Sequence, residues 1–212
     1  MRVAIFGASG KTGTLLTERC LAAGYDVTVL LRSPPKFALR DRVRVVQGSV
    51  FDADAVRRTV EGAEVVLSAL GARSLKNEGV LERGVPLIVA AMRAAGVRRI
   101  IALGGASARR ESMRRQPALV RWFVLRFVYD GMLKWPSVAQ RAQLQSLYES
   151  GLVWTMVLPP LLSDSPARGS YRVDGEALPM RGMRISRADV ADFMMAQIGN
   201  SEWVGKGVYI AW

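Results

Sequence analysis

Three glycines near the start of the chain have the spacing of a phosphate-binding turn. Gly7, Gly10 and Gly13 follow a short apolar run, residues 3–6, and a helical pattern begins directly after them. The first glycine suits a sharp turn, the second a close approach of the backbone to phosphate, and the third close packing of helix against strand. The free N–H groups at the start of a helix attract an anion. The pattern therefore predicts a pyrophosphate site, although its Gly-x-x-Gly-x-x-Gly spacing differs from the commoner Gly-x-Gly-x-x-Gly.

Cationic side chains follow the second predicted strand. Residues 25–31 are almost continuously apolar, as buried parallel strands are, and Arg32, Ser33 and Lys36 come next. In a dinucleotide-binding fold this position meets the adenosine ribose, where an acid suits NAD and a cation suits the 2′-phosphate of NADP. The three side chains therefore predict NADP(H), preferred over NAD(H). The alternative is that Arg32 and Lys36 are ordinary solvated charges of a surface loop.

The composition excludes several other chemistries. The chain has no histidine and one cysteine, Cys20, so neither a zinc site of the usual ligands nor Ser-His-Asp or Cys-His catalysis can be built. No metal site is therefore expected. Cys20 falls on the apolar side of the first predicted helix, which indicates a core position. A lone cysteine and the lack of a signal-peptide pattern favour a cytoplasmic protein.

The charge balance points to an anionic ligand or surface. The chain has 30 lysines and arginines against 18 acidic residues, a net charge of +12. Nucleic acid would be one such partner. No zinc finger, RNA-binding aromatic strand pair or clear helix-turn-helix pattern is present, so we do not expect a nucleic-acid partner.

The rest of the pattern alternates strands and helices. It predicts further strands at residues 43–47, 64–70, 99–103, 153–158 and 208–211, a small strand near Tyr171, and helices at 11–23, 53–60, 81–95, 137–150 and 187–198. Asp52 and Ser186 are expected to cap the helices that follow them. Pro86 predicts either a bend in the third helix or its true start. The alternation predicts one α/β domain, residues 1–212, with a doubly wound parallel sheet.

Short motifs spread over nearly the whole chain carry a family resemblance. They are Ile5-Phe-Gly-Ala-Ser-Gly-Lys-Thr-Gly13, Gly24-Tyr-Asp-Val-Thr-Val-Leu-Leu-Arg32, Gly48-Ser-Val50, Ala69-Leu-Gly-Ala-Arg73, Ala90-Ala-Met-Arg-Ala-Ala-Gly-Val97, Glu149-Ser-Gly-Leu152 and Leu158-Pro-Pro160. In this order they resemble the atypical short-chain dehydrogenases/reductases, in particular the NAD(P)H-binding group with NmrA-like proteins and flavin reductase (biliverdin-IX-beta reductase). The motifs are specific for the cofactor fold and not for a substrate.

The resemblance implies a role for each matching residue in a Rossmann fold that binds NADP(H). The residues that would bind the pyrophosphate are Gly7, Ser9, Gly10, Lys11 and Thr12. Those that would bind the 2′-phosphate are Arg32 and Lys36, with Ser33 beside them. Adenine would lie between Ser49 and Val50, although relatives often carry Asp in place of Ser49. The residues that would lie by the inner phosphates and ribose are Leu70, Gly71 and Arg73. Gly104 would lie at the carboxyl edge of the sheet, and Pro159 and Pro160 would pack behind the nicotinamide.

The same resemblance leaves the proton donor unidentified. Typical short-chain dehydrogenases use a Tyr-x-x-x-Lys pair, but Tyr129 and Lys134 are one residue too far apart for helical neighbours. Flavin reductase-like relatives often carry a serine after the fifth strand, where this chain has two glycines, so Ser107 is the remaining candidate. Leu161 stands where some relatives place a histidine after the paired prolines.

Two functions remain open on this basis. One is hydride transfer from NADP(H) to a small aromatic acceptor that needs little protein acid, such as a flavin or quinone, because the cofactor carries the chemistry. The other is a non-catalytic regulator that senses NADPH/NADP+, as some NmrA-like relatives do. An epimerase-like activity on nucleotide sugars is disfavoured, because the tyrosine and the usual C-terminal substrate domain are missing.

Residues 109–141 differ from the family in length and texture, and we interpret about 107–137 as a basic, aromatic insertion. Apolar side chains surround its predicted helix, interrupted by Arg121 and Arg126, which in an α-helix would not share a face. Such a helix is expected to be covered, and it is too short and charged to span a membrane. It could be a lid that forms the acceptor pocket, a homo-oligomer interface, or a weak contact with an anionic membrane surface.

Overall fold

A computed structural model describes residues 1–71 and 79–212. Its strands are β1 (Arg2–Phe6), β2 (Asp26–Leu31), β3 (Arg44–Gln47), β4 (Val65–Ser68), β5 (Arg99–Leu103), β6 (Val153–Leu158), β7 (Leu161–Ser163), β8 (Arg172–Asp174), β9 (Arg184–Ser186) and β10 (Lys206–Ala211). Its α-helices are α1 (Lys11–Ala22), α2 (Ala53–Val60), α3 (Val80–Ala94), α4 (Ala118–Phe123), α5 (Lys134–Tyr148) and α6 (Arg187–Ala196).

Eight of the strands form one sheet in the order β3-β2-β1-β4-β5-β6-β10-β8. Neighbouring strands are parallel except β8, which pairs antiparallel with β10. The chain starts in the middle of the sheet, builds outward to β3 and then returns to the other side of β1. The strand order therefore reverses between β1 and β4, the point at which open α/β sheets bind ligands. The predicted doubly wound sheet is confirmed.

The two faces of the sheet explain why its strands are apolar throughout. Successive side chains of a strand point to opposite faces. Phe6 joins a buried cluster with Met92 of α3, whereas Ile5 joins the cluster on the other face with Leu16 of α1. Both faces are therefore covered by helices, so the central strands are apolar on both sides and do not alternate between polar and apolar residues.

Several local predictions are confirmed. The Asp52 carboxylate accepts hydrogen bonds from two backbone N–H groups at the start of α2, and Ser186 Oγ accepts one at the start of α6. Cys20 is fully buried, and burial raises the pKa of its thiol to about 12. Pro86 lies inside α3, which begins at Val80, so the alternative that it marks the helix start is wrong.

One small sheet beside the main sheet was not predicted from the sequence. β7 and β9 pair in parallel as a separate two-stranded sheet. Each has three residues, too few to show the alternation by which a strand is recognised. The pair brings the chain after β6 next to the start of α6.

The insertion is a helix of two kinds. α4 continues directly as a π-helix, Val124–Met132, whose hydrogen bonds run from residue i to i+5. Trp122 and Phe127, five residues apart, accordingly contact each other edge to face, with ring centroids 5.5 Å apart. The expectation that residues at this spacing point to different sides rested on α-helical geometry, which does not hold here.

The apolar side chains of this insertion are mostly exposed. α4 has no buried residue, and in the π-helix only Val124 and Tyr129 are buried. The covering expected for this helix therefore does not come from the described residues of its own chain. Among those residues, no helix combines the length and apolarity needed to cross a membrane.

Candidate functional site

A cleft of about 690 Å³ opens at the carboxyl edge of the sheet. Its size is in the range of ligand pockets. The ends of β1, β2, β4 and β5 form its floor, which is where the switch in strand order places a ligand. The described residues that line it are Phe6, Gly7, Ser9, Gly10, Lys11, Thr12, Leu30, Arg32, Gly48, Ser49, Val50, Phe51, Ala69, Leu70, Gly71, Val80, Leu103, Gly104, Leu133, Pro136, Gln140, Leu162 and Arg187.

The glycine-rich turn is packed too tightly for side chains at two of its three glycines. Gly7 has φ of +79°, and a Cβ there would lie 2.6 Å from the carbonyl oxygen of Ala69 at the end of β4. A Cβ at Gly13 would lie 2.0 Å from the carbonyl oxygen of Gly7. These glycines therefore let β1, β4 and the start of α1 meet, as the sequence predicts. Gly10 is less confined, with one contact at 3.3 Å.

The start of α1 faces the cleft with unpaired backbone donors. Gly10 is the N-cap residue and no side-chain cap is present among the described residues. The first N–H groups of a helix have no partner within the helix and carry the positive end of its dipole. Ser9, Gly10, Lys11 and Thr12 all line the cleft. The predicted pyrophosphate residues are thus brought together.

A cation stands at the end of β2. Arg32 is exposed and lines the cleft. Ser33 and Lys36 are also exposed and lie in the short turn that follows, outside the lining residues. No acidic side chain occupies the end of this strand, so the local charge favours a phosphate group.

The adenine side contains one residue that the sequence reading missed. Ser49 and Val50 line the cleft as predicted, and so does Phe51. The guanidinium of Arg83, on α3, lies 4.7 Å from the centre of the Phe51 ring, at cation–π distance. An aromatic residue directly after Gly48-Ser-Val50 was the available signal. This pair adds a flat apolar surface beside the predicted adenine position.

The opposite side of the turn holds the predicted ribose and inner-phosphate contacts. Leu70 and Gly71 line the cleft at the end of β4. Arg73 lies outside the described residues.

The far end of the cleft is mainly apolar. Leu133 and Pro136, next to and within the first turn of α5, line it with Gly104, and Leu162 of β7 is a further apolar lining residue of the cleft. A Cβ at Gly104 would lie 2.3 Å from Met156 Cε and 3.2 Å from Gln140 Oε1, so a side chain here would require the end of the Met156 side chain to shift.

Gln140 is the polar group at this end. Its side chain lines the cleft, and Oε1 is inaccessible to solvent with no hydrogen-bond partner among the described residues. A buried unpaired acceptor is costly. A ligand donor near Gly104 would remove that cost only after the amide turned toward the cleft.

Other predicted residues of this end lie outside the cleft lining. Pro159 is buried, and its carbonyl accepts a hydrogen bond from the Ala106 N–H at 2.9 Å; Pro160 is its neighbour. Ser107 is buried. Tyr129 is also buried and 3.1 Å from Ser112 Oγ, and burial raises the pKa of its phenol. None of these four lines the cleft in the part of the chain that the structure describes.

An ion triad spans the rim near the pyrophosphate turn. Asp164, directly after β7, lies 2.5 Å from Lys11 Nζ and 2.5 Å from the Arg187 guanidinium. The hydrogen bond from Lys11, with the nearby charge of Arg187, holds the pKa of Asp164 below its usual value. Lys11 and Arg187 both line the cleft. Two cations beside the turn are thus held by one carboxylate, an arrangement that the sequence reading missed.

Comparison with known proteins agrees with this geometry. A family model described as NAD(P)H-binding matches residues 7–201. The chain belongs to the NAD(P)H-binding family. It is 32% identical over 101 residues to an uncharacterised protein of Mycobacterium tuberculosis H37Rv, a match that spans 48% of this chain and 12% of that protein.

Solved structures share the fold of this NAD(P)H-binding chain. ChuY, an anaerobilin reductase from Escherichia coli O157:H7, has a TM-score of 0.82 and 19% identity, covering 100% of this chain and 97% of that one. A short-chain dehydrogenase/reductase from Veillonella parvula in complex with NADP has a TM-score of 0.78 and 21% identity, covering 100% and 94%. The resemblance to this family seen in the sequence is confirmed.

The site fits the cofactor of the NAD(P)H-binding family on its own geometry. The two glycines where a Cβ would collide allow the close packing of the turn, and N–H groups at the start of α1 that have no partner among the described residues suit a pyrophosphate. The cleft continues from Arg32 past the turn to the apolar end at Gly104. The middle of the cleft, at the turn, therefore suits an anion. One end has the cation Arg32, and the other end, at Gly104, is apolar.

Proposed function

We propose that this chain is an NADP(H)-dependent oxidoreductase that passes a hydride to a small aromatic acceptor of the flavin or quinone type. One observation carries the proposal: Arg32 lines the same cleft as the glycine-rich turn, at the position that meets the adenosine ribose in this fold. A guanidinium there favours a 2′-phosphate over a free hydroxyl. Ser33 and Lys36, exposed in the adjoining turn, are proposed to add to it.

The apolar end supports the kind of acceptor. When bound, the cofactor would supply the hydride. Leu133, Pro136 and Leu162 offer a dry surface for an aromatic ring. A rotation of the buried Gln140 amide would let its Oε1 accept a hydrogen bond from the nicotinamide amide or from the acceptor. Ser107 lies buried outside the lining, so an acceptor that needs little acid from the protein fits best. ChuY, which shares the fold, is an anaerobilin reductase, a name consistent with reduction of an acceptor.

Steady-state consumption of NADPH and of NADH against a panel of flavins and quinones tests this proposal. We expect turnover with at least one acceptor and a preference for NADPH. Arg32→Glu should lose that preference while leaving NADH turnover nearly unchanged. Turnover that is equal with both cofactors in the wild type would overturn the assignment of Arg32.

A second function is favoured by a specific observation at the same end of the cleft. Around Gly104 the described lining contains no titratable side chain, which suits a protein that binds NADPH or NADP+ and reports their ratio without turnover. Tight NADPH binding with no consumption against the whole panel would support this regulator and exclude the oxidoreductase.

A further inference from the structure

The outer face of the insertion is a contiguous apolar patch, formed by Leu119, Val120, Trp122, Phe123 and Phe127. Their exposed fractions are 77%, 40%, 58%, 54% and 50%. Phe127 contacts both Trp122 and Phe123, with ring centroids 5.5 and 5.2 Å apart. The aromatic rings are thus held together while they face solvent. Contiguous exposed apolar surface of this kind marks an interaction site.

Positive charge is interleaved with this apolar patch. Arg121 and Arg126 are exposed and form no ion pair with any described residue. By contrast, Arg110 at the base of the insertion is paired with Asp130. The chain as a whole carries a net charge of +12. A complementary partner therefore has an apolar region for the rings and negative charge for the arginines.

We infer that the apolar patch and its two arginines dock on the surface of an anionic lipid bilayer. α4 has no buried residue, so it projects from the protein as a convex ridge and not as a groove shaped for a partner helix. Helices that lie in a membrane interface place Trp, Phe and Leu among the acyl chains and keep Arg at the headgroups. Leu119, Trp122 and Phe127 with Arg121 and Arg126 match that division.

The same observations disfavour two other occupants. In a symmetric dimer the patch would meet its own copy, which would bring four arginines, Arg121 and Arg126 from each copy, into one apolar interface. A lid over the cleft would need the patch at the ligand, but its five apolar residues are absent from the described cleft lining. Leu133, Pro136 and Gln140, which follow the patch in the chain, do line the cleft, so docking would hold that wall of the cleft near the bilayer.

Sedimentation of the full chain with vesicles tests the inference. We expect binding to vesicles of phosphatidylcholine with phosphatidylglycerol, weakened by added salt, and much weaker binding to phosphatidylcholine alone. Arg121→Gln with Arg126→Gln should weaken binding about thirtyfold, from the usual contribution of each basic residue near an anionic surface. Trp122→Ser with Phe127→Ser should weaken it at least tenfold, because two large rings no longer insert.

A matched control separates the patch from general attraction to charge. Arg44→Gln with Arg58→Gln removes two exposed arginines, one on the edge strand β3 and one on α2, and should change vesicle binding by less than about twofold. All variants alter exposed side chains and should keep the unfolding transition of the wild type. NADPH binding without vesicles should also be unchanged, so this test is independent of the proposed function.

Three results would overturn the inference. The first is absence of binding to the anionic vesicles, which would leave an acidic protein as the partner. The second is equal loss in the control and in the Arg121/Arg126 variant. The third is a dimer in sedimentation that Trp122→Ser with Phe127→Ser converts to monomer, which would assign the patch to a second copy.

Discussion

Adding one methyl group at Gly13 should separate the phosphate-binding turn from α1. The Cβ of Gly13→Ala would lie 2.0 Å from the Gly7 carbonyl oxygen and 2.9 Å from Ala8 Cα. Both neighbours are backbone atoms and cannot rotate away. Because ordinary contact begins at 3.4 Å, the turn and the helix must move apart by about 1.4 Å.

That displacement is large for a hydrogen-bonded site. The N–H groups of Lys11 and Thr12 are proposed to donate to the pyrophosphate, and a hydrogen bond to a charged group contributes about 1.5–3 kcal/mol. Loss of two such bonds corresponds to about 3–6 kcal/mol, or at least a hundredfold weaker NADPH binding. The overpacked turn should also reduce the free energy of unfolding by about 1–3 kcal/mol.

Fluorescence titration with NADPH and a thermal unfolding scan measure the two effects separately. Gly24→Ala is the matched control, because Gly24 follows the same helix, has φ of +71° and has no atom within 4 Å of its Cβ position. It should lose about 1–2 kcal/mol of stability from the left-handed backbone and bind NADPH like the wild type. Gly10→Ala meets one contact at 3.3 Å, so it should stay folded but place its methyl in the cleft and weaken binding.

The predicted role of the turn would be refuted by a folded Gly13→Ala protein that binds NADPH with wild-type affinity. It would also be refuted if Gly24→Ala weakened binding as much as Gly13→Ala, since the effect would then follow stability and not the turn.

Three further changes test other parts of the cleft. Arg32→Glu should weaken NADPH binding roughly ten- to a hundredfold, from loss of a charge-assisted hydrogen bond, and leave NADH binding nearly unchanged; equal losses in calorimetry would remove the 2′-phosphate assignment. Asp164→Asn should tighten NADPH binding several-fold because it releases Lys11 and Arg187. Since the pKa of Asp164 is lowered, the wild-type carboxylate competes throughout the neutral range and stops only at acid pH, so the variant should differ from the wild type least in acid, and a difference that grows in acid would contradict this. Gln140→Leu should raise the KM for the acceptor or the cofactor without unfolding the protein, and unchanged kinetics would show that the amide has no role.

The parts of the site that were predicted are those whose geometry is local. Gly7 and Gly13 act on residues within one turn of themselves or at the end of a neighbouring strand, and the position of Arg32 follows from the end of β2. The doubly wound sheet follows equally from strand and helix patterns in order. These inferences need no knowledge of how distant elements pack.

The parts that were missed depend on distant packing. Lys11 and Asp164 meet across 153 residues of sequence, through strands of three residues that leave no periodic signal. Gln140 reaches the cleft only because α5 packs over the end of β5, and helix rotation is not readable from its sequence. The exposure of Trp122 in the single chain could not be predicted, because apolar composition indicates that a surface will be covered and not whether its own chain, a second copy or a membrane covers it.

The proposed function is that NADPH binds in this cleft and transfers its hydride to an acceptor. Its most direct test is a single turnover in which protein saturated with NADPH is mixed with a flavin or quinone in a stopped-flow instrument. We expect loss of the absorbance of reduced nicotinamide, slower when deuterium replaces the transferred hydrogen. Tight NADPH binding with an absorbance that stays constant against every acceptor would contradict it.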